Sequence, residues 1–161
     1  LDMEKEKRII SHARNDSGID RVLDRDGKEY SISEAYEKKI DWIQIDKGFL
    51  SEQEKETVLD LCKYAVVNGS HTVMGEILGS HAKPIIGIPI YDEHTNQIEW
   101  AKEKKLGLFA RNRVQIAEAI REMYENYEEI TDSVKEFSRN FNGNGVSNTT
   151  KIVSEILEDK K

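Results

Sequence analysis

A turn of small and polar residues lies near the middle of the chain, between a short apolar run and a helical pattern. The turn is Asn68-Gly69-Ser70-His71-Thr72, and the apolar run before it is Ala65-Val66-Val67. The first backbone N–H groups of a helix have no partner within the helix, and they point outward at the positive end of its dipole. A phosphate group can therefore bind at this junction, where Gly69 and Ser70 allow a close approach.

The helical pattern after the turn has an apolar face and a polar face. Four apolar residues recur at helical spacing and predict a face packed on a sheet: Val73, Met74, Ile77 and Leu78. Thr72 and Glu76 are four residues apart, so they share a more polar face of the same helix. Glu76 is therefore a candidate acceptor for ligand hydroxyl groups.

A second polar segment follows the next apolar run. Residues 85–90 read as a strand buried on both faces, and the polar loop Tyr91 to Thr95 leads to a helix start at Asn96-Gln97. Ligands of parallel sheets bind outside the carboxyl ends of the strands. We therefore expect residues 68–72 and 92–97 to border one crevice.

The alternation of predicted strands and helices defines the fold class. Strands are predicted over residues 40–45, 65–67, 85–90 and 106–110, and helices over 51–64, 72–80 and 96–105. Ser51 and Glu54 form a capping box at the first of these helices. Such alternation predicts an α/β fold with a parallel sheet and right-handed crossovers. From Arg113 onward the pattern is helical, and the last helix is predicted to start near Asn148.

The segment before residue 40 is less regular. Val22-Leu23 and Tyr30 to Ile32 predict a hairpin with Asp26-Gly27 at its turn. A strand is also predicted to start at residues 8–11. We expect residues 1–39 to be an N-terminal extension or a diverged start of the domain, and residues 40–161 to form the main domain with its C-terminal helices.

The order of these features resembles the C-terminal, donor-binding half of GT-B glycosyltransferases, which is a Rossmann-like parallel sheet flanked by helices. Residues 68–76 are similar to the span His-Gly-Gly-x-x-Thr-x-x-Glu, and residues 96–101 to Asp/Gln-Gln-x-x-Asn-Ala. The most similar group is glycosyltransferase family 28, which contains the lipid II N-acetylglucosaminyltransferase, together with its archaeal relatives. The resemblance extends over residues 40–157.

The resemblance implies a role for each matching residue. It assigns Gly69, Ser70, His71 and Thr72 to the diphosphate of a nucleotide-sugar donor, and Glu76 to ribose. Asn96 and Gln97 match the residues that hold the donor sugar. Phe49 and Leu50 match the place where a Phe-Ile pair lines the base. The implied donor is a UDP-sugar, with UDP-N-acetylglucosamine as the first candidate, and no cofactor or metal is implied.

The resemblance also implies inverting transfer to a hydroxyl acceptor. In this family the general base usually comes from an N-terminal domain, so the catalytic residues are unknown here. An N-terminal domain or a second subunit is expected to supply the acceptor. Two alternatives remain open. One is a nucleotide-sugar hydrolase resembling the enzyme of the pseudaminic acid pathway, and the other is a non-catalytic assembly module.

Composition restricts the partners and the location. The formal net charge of −7 over 161 residues disfavours nucleic acid, which binds to basic patches. Lys47, Arg111 and Arg113 are candidates to assist the diphosphate if they lie near it. No apolar run is long enough to span a membrane, so we expect a cytoplasmic protein. Peripheral contact with the cytoplasmic membrane face is expected if the acceptor is a lipid.

Several single residues allow a functional and a structural interpretation. His71 is equally consistent with an imidazolium that assists the departing diphosphate and with a neutral helix cap. His94 with Asp92 and Glu93 is interpreted as an exposed polar loop rather than a metal site, because these residues are consecutive. Cys62, the only cysteine, is interpreted as a small core residue.

Overall fold

The structure, a computed structural model, describes residues 9–14, 21–24, 26–40, 42–141 and 145–158. The chain divides into two compact units, Leu1–Cys62 and Lys63–Lys161. The domain boundary predicted between residues 39 and 40 stays a prediction. The strand and the helix that follow residue 40 belong to the first unit, and the strand is part of the sheet of that unit.

The first unit contains a four-stranded mixed sheet. Its strands are β1 (Ile9–Arg14), β2 (Arg21–Asp24), β3 (Glu29–Tyr30) and β4 (Trp42–Lys47). They lie in the order β1-β4-β2-β3, with β1 parallel to β4 and the other pairs antiparallel. The predicted hairpin is confirmed as the β2–β3 pair. Gly27 in its turn has a φ of 81°, a conformation that favours glycine.

Two helices accompany this sheet, α1 (Ile32–Glu37) and α2 (Glu52–Leu61). The predicted capping box at α2 is confirmed, since Ser51 Oγ accepts from the Glu54 N–H and Glu54 Oε2 accepts from the Ser51 N–H. The helix ends three residues before the predicted end, with Cys62 at its C-cap and only partly buried. The core of the unit consists of buried apolar residues from three elements: Val22, Ala35, Ile43 and Ile45.

The second unit contains a three-stranded parallel sheet. Its strands are β5 (Ala65–Val67), β6 (Ile85–Gly87) and β7 (Gly107–Phe109), in the order β5-β6-β7. Val67, Gly87 and Phe109 are in register, so the carboxyl ends of all three strands lie at one edge. The central strand β6 is buried throughout, as its continuous apolar sequence predicts. It ends at Gly87, three residues before the predicted end.

Helices connect and follow these strands. They are α3 (His71–Met74), a π-helix that continues it (Gly75–Ser80), α4 (Asp92–Glu103), α5 (Arg113–Glu125), α6 (Tyr127–Asn140) and α7 (Gly145–Glu158). The π-helix was not predicted, and α7 begins three residues before Asn148. The core contains buried side chains from the sheet and from the helices, including Met74, Leu78, Ile86, Ile98, Leu108, Met123 and Val134.

Gly79 shows how α6 packs against the π-helix. A Cβ atom on Gly79 would lie 2.3 Å from the ring of Phe141, which directly follows α6. Ser138 Oγ, near the end of α6, donates a hydrogen bond of 2.6 Å to the Gly79 carbonyl oxygen. The π-helix is thus held by a close contact and by a hydrogen bond from outside its own backbone.

Candidate functional site

The turn between β5 and α3 is held against helix α4. Gly69 has a φ of 78°, and a Cβ atom there would lie 2.5 Å from Cγ1 of Ile98. Only glycine allows both this backbone conformation and this close approach without strain. Asn68 Oδ1 also accepts a hydrogen bond of 3.2 Å from the Ser70 N–H, which closes the turn. The sequence Asn-Gly-Ser therefore fixes the direction in which the chain enters α3.

The N-terminus of α3 lies at the carboxyl edge of the parallel sheet. Ser70 is the N-cap residue, but its side chain makes no capping hydrogen bond. The N–H of Met74 bonds to the carbonyl oxygen of Ser70, so the preceding N–H groups of His71 and Thr72 have no partner within the helix. Together with the π-helix, α3 forms a continuous helical segment of ten residues, His71 to Ser80. Such N–H groups at a helix start suit an anion, and the diphosphate role of residues 69–72 stays a prediction.

Helix α4 begins earlier than predicted. It starts at Asp92 rather than at Asn96, so the loop predicted over Tyr91 to Thr95 is largely helical. The prediction was wrong because Asp92 and Glu93 look like loop residues, although acidic side chains are also typical of a first helical turn. Asn96 and Gln97 consequently lie in the second turn of the helix. Asn96 is exposed and Gln97 is partly buried.

A hydrogen bond joins the two predicted segments. Gln97 Nε2 lies 2.8 Å from His71 Nδ1. The amide nitrogen can only donate, so Nδ1 accepts and the imidazole is neutral, with its proton on Nε2. This leaves His71 Nε2–H as a donor at the N-terminus of α3. A residue assigned to the diphosphate thus directly contacts a residue assigned to the sugar.

Glu76 lies one turn further along, at the start of the π-helix. It is partly buried, and its carbonyl oxygen accepts a hydrogen bond of 3.1 Å from the His81 N–H. This i to i+5 bond belongs to the wider π-helical turn rather than to an α-helix. The ribose role of Glu76 stays a prediction.

His94 differs from its predicted environment. It is only 5% exposed and lies on α4, so its interpretation as part of an exposed loop was wrong. The Tyr91 ring packs against the imidazole at 5.3 Å between ring centroids, with the planes 72° apart. His94 precedes Gln97 by three residues and Ile98 by four, which is the spacing of one helix face. This spacing is the sequence signal that could have placed His94 beside the site.

Two cations predicted to assist the diphosphate follow β7 at the same sheet edge. Arg111 and Arg113 are both exposed, and the Arg111 guanidinium lies 5.2 Å from the centre of the Phe109 ring. Their backbone comes one and three residues after Ala110, beyond the carboxyl end of the strand. They are therefore available for an anion at this edge, although their assignment stays a prediction.

The two residues predicted to line the base lie in the first unit. Phe49 is 72% exposed, whereas Leu50 is partly buried and packs against the core that contains Ile43 and Ile45. Lys47 also belongs to this unit, and its ammonium forms an ion pair of 2.8 Å with Glu54. The base role of Phe49 and Leu50 stays a prediction.

The first unit has an open cleft of its own. It lies at the carboxyl end of β4, and its lining includes Arg21, Tyr30, Lys47, Glu54 and Thr57. The Arg21 guanidinium pairs with Asp46 at 3.1 Å, and Lys47 pairs with Glu54. Because carboxylates of the same unit pair with both cations, this cleft offers less to an anion than the N-terminus of α3 does.

The described residues contain neither a group of potential metal ligands nor a membrane-spanning helix. Within 9–14, 21–24, 26–40, 42–141 and 145–158, no three histidine, cysteine or acidic side chains are grouped to hold a metal ion. In the same part of the chain, every helix is too short or too polar to cross a lipid bilayer.

Comparisons with known proteins bear on the fold. No protein-family model matches the sequence, and no curated protein matches it. One similar solved structure is described as the glycotransferase of kitacinnamycin, with a TM-score of 0.58 and 9% sequence identity. The similarity covers 96% of this chain and 45% of that chain, so the chain spans less than half the length of that protein.

At this level of identity the similarity shows the fold alone. The chain has a glycosyltransferase-like α/β fold with a parallel sheet flanked by helices. This finding confirms the predicted fold class, a Rossmann-like sheet as in one half of a GT-B architecture.

Proposed function

We propose that the chain is the donor-binding domain of a glycosyltransferase, which binds a UDP-sugar and supports inverting transfer to a hydroxyl acceptor. The observation that carries this proposal is the hydrogen bond between His71 and Gln97. It joins the N-terminus of α3, suited to a diphosphate, to helix α4, which carries amide side chains suited to a sugar. The similarity of residues 68–76 and 96–101 to glycosyltransferase family 28 supports the same assignment.

Catalysis in this proposal is electrostatic and positional. As the bond from the sugar to the diphosphate breaks, negative charge develops on the leaving diphosphate. The N–H groups of His71 and Thr72, His71 Nε2–H and the Ser70 hydroxyl are hydrogen-bond donors for that charge. They are held in place before the reaction by the Gly69 turn and by Gln97, so little reorganisation is needed.

The remaining roles follow from the resemblance. Glu76 binds the ribose hydroxyls, Asn96 binds the sugar together with Gln97, and Phe49 with Leu50 lines the base. An N-terminal domain or a second subunit supplies the acceptor and the general base. The protein is cytoplasmic, and it contacts the cytoplasmic membrane face peripherally if its acceptor is a lipid.

Binding calorimetry with UDP, UDP-N-acetylglucosamine and UDP-glucose tests the proposal directly. We expect binding of a UDP-sugar, and a thermal protection equivalent to about 2.7 kcal/mol at a hundredfold excess of ligand over its dissociation constant. Gln97→Ala should weaken binding about tenfold, because it removes the amide and releases His71. The matched control is Glu99→Ala, an exposed residue of the same helix.

Three results would count against the proposal. Wild-type protein that binds none of these ligands would reject a donor-binding function and favour an assembly module. Equal affinity in Gln97→Ala and wild-type protein would reject the site. Release of free sugar without any acceptor would identify hydrolysis rather than transfer.

A further inference from the structure

Two buried acceptor atoms lie on one face of helix α4. His94 Nδ1 and Gln97 Oε1 are inaccessible to solvent and have no hydrogen-bond partner within the part of the chain that the structure describes. The two residues are three positions apart, so they are neighbours on the helix surface. Buried polar atoms in proteins are nearly always paired. Two unpaired atoms on one face therefore mark a place where another molecule provides the partners.

The hydrogen-bonding character of both atoms follows from their surroundings. His94 Nε2 faces the Glu93 carboxylate, whose Oε1 lies 3.8 Å away, beyond hydrogen-bond distance. We assign the imidazole proton to Nε2, because the negative charge of the carboxylate attracts it. Nδ1 is then the acceptor of the imidazole. Gln97 already donates through Nε2 to His71, which leaves Oε1 to accept. Both unpaired atoms thus require donors from a ligand.

We propose that His94 and Gln97 together bind two hydroxyl groups of the donor sugar. This inference rests on the proposed function and extends it, because it assigns His94 to the site and orients the ligand. A sugar diol offers two O–H donors at short spacing, whereas an ionised diphosphate offers only acceptors. The diphosphate therefore lies at the N-terminus of α3, and the hydroxyl face of the sugar lies against α4.

Exposed side chains lie against both residues in the free protein. The Tyr91 ring packs against His94 and is 68% exposed, and His71 is exposed while bonded to Gln97. An exposed side chain such as Tyr91 changes rotamer within nanoseconds, so a ligand displaces it easily. On binding, the sugar hydroxyls replace the Tyr91 contact, while His71 keeps its hydrogen bond to Gln97 and donates through Nε2 to the diphosphate.

The test compares UDP with UDP-glucose in isothermal titration calorimetry on variants of His94. His94→Phe keeps an aromatic ring against Tyr91 and removes both nitrogens. It should bind UDP within about twofold of wild type and UDP-glucose about tenfold more weakly. His94→Asn places an acceptor near the Nδ1 position and should recover most of the sugar affinity. His94→Gln places its amide near the Nε2 position instead and should not recover the sugar affinity.

The matched control is Thr131→Val. Thr131 Oγ1 is a third buried atom without a partner, but it lies on α6 and carries no proposed ligand. Its replacement should leave both affinities unchanged. The inference would be overturned, while the proposed function stands, if His94→Phe weakened the binding of UDP and of UDP-glucose equally. Equal UDP-glucose affinities of His94→Asn and His94→Gln would overturn it as well. Wild-type protein that binds neither ligand would overturn both.

Discussion

Gly69 sets the distance between the phosphate-binding turn and helix α4. Its positive φ and its contact with Ile98 are independent constraints, and an added methyl group violates both. Gly69→Ala should lower the free energy of unfolding of the second unit by about 2 to 4 kcal/mol, from backbone strain and overpacking together. Urea denaturation measures this change. The double variant with Ile98→Ala should lose less stability than the sum of the two single variants, because the smaller side chain relieves the overpacking.

Gly27 is the matched control for this prediction. It has a similar φ of 81°, but a Cβ atom there would meet nothing within 4 Å. Gly27→Ala should therefore cost only the backbone contribution, about 1 kcal/mol in the first unit. Equal losses at the two glycines would mean that the contact with Ile98 contributes nothing to the site's geometry.

Glu54 makes the stability of the first unit depend on pH. Its hydrogen bonds with the Lys47 ammonium and then with Ser51 lower its pKa from 4.5 to about 2. A lowered pKa stabilises the folded state above pH 4.5, and this stabilisation is lost as the pH falls towards about 2. The Glu54 side chain is 30% exposed and that of Lys47 is 24% exposed. Solvent screening therefore reduces the contribution of Glu54 to the free energy of unfolding to about 1 to 2 kcal/mol.

Glu54→Gln should remove this contribution. The variant should be less stable than wild type by about 1 to 2 kcal/mol at about pH 7, and this difference should vanish as the pH falls to about 2. Urea denaturation over a series of pH values gives the comparison. Glu52→Gln is the control, since the Glu52 side chain pairs with Lys55 and is 76% exposed. A constant difference at every pH would contradict an electrostatic origin.

At the scale of elements, the N-cap residues of α5 and α3 differ, because only the side chain at α5 forms capping hydrogen bonds. Asn112 caps α5 by accepting from the N–H groups of Val114 and Gln115, at 3.0 Å each. Asn112→Ala should therefore cost about 1 kcal/mol. Ser70 makes no such bond at α3, so Ser70→Ala should change stability by less than about 0.5 kcal/mol but weaken UDP binding about threefold to tenfold. Thermal unfolding and calorimetry on both variants measure this contrast.

Element types were predictable from the sequence, and element ends were less so. Strand β5 was predicted at its observed bounds because turn residues follow its apolar run at once. The start of α4 was misplaced because polar residues in a first helical turn resemble a loop. The π-helix could not be predicted, since it depends on Phe141 and Ser138, which are distant in sequence from Gly79 and hold it by packing and hydrogen bonding.

At the scale of the whole molecule, the candidate site was predictable because parallel strands bring distant loops to one edge. His71 and Gln97 are 26 residues apart, yet the order of strands was enough to expect them together. His94 was missed because the two acidic residues before it resemble loop residues, whereas all three residues belong to α4. Its spacing from Gln97 indicates a shared helix face, but its contact with the Tyr91 ring could not be predicted from the sequence.

Hydrogen exchange can locate the ligand on the whole chain. The residues assigned to diphosphate and sugar belong to the second unit, so a UDP-sugar should slow exchange at residues 68–72 and at the start of α4, because binding suppresses local opening. Slowed exchange at Phe49 and Leu50 would support their base role, and unchanged exchange there would remove it. Protection in the first unit alone would place the ligand in its cleft and contradict the proposed site. At the same ligand concentration, Gln97→Ala should reduce the protection at both segments of the second unit, in line with its about tenfold weaker binding.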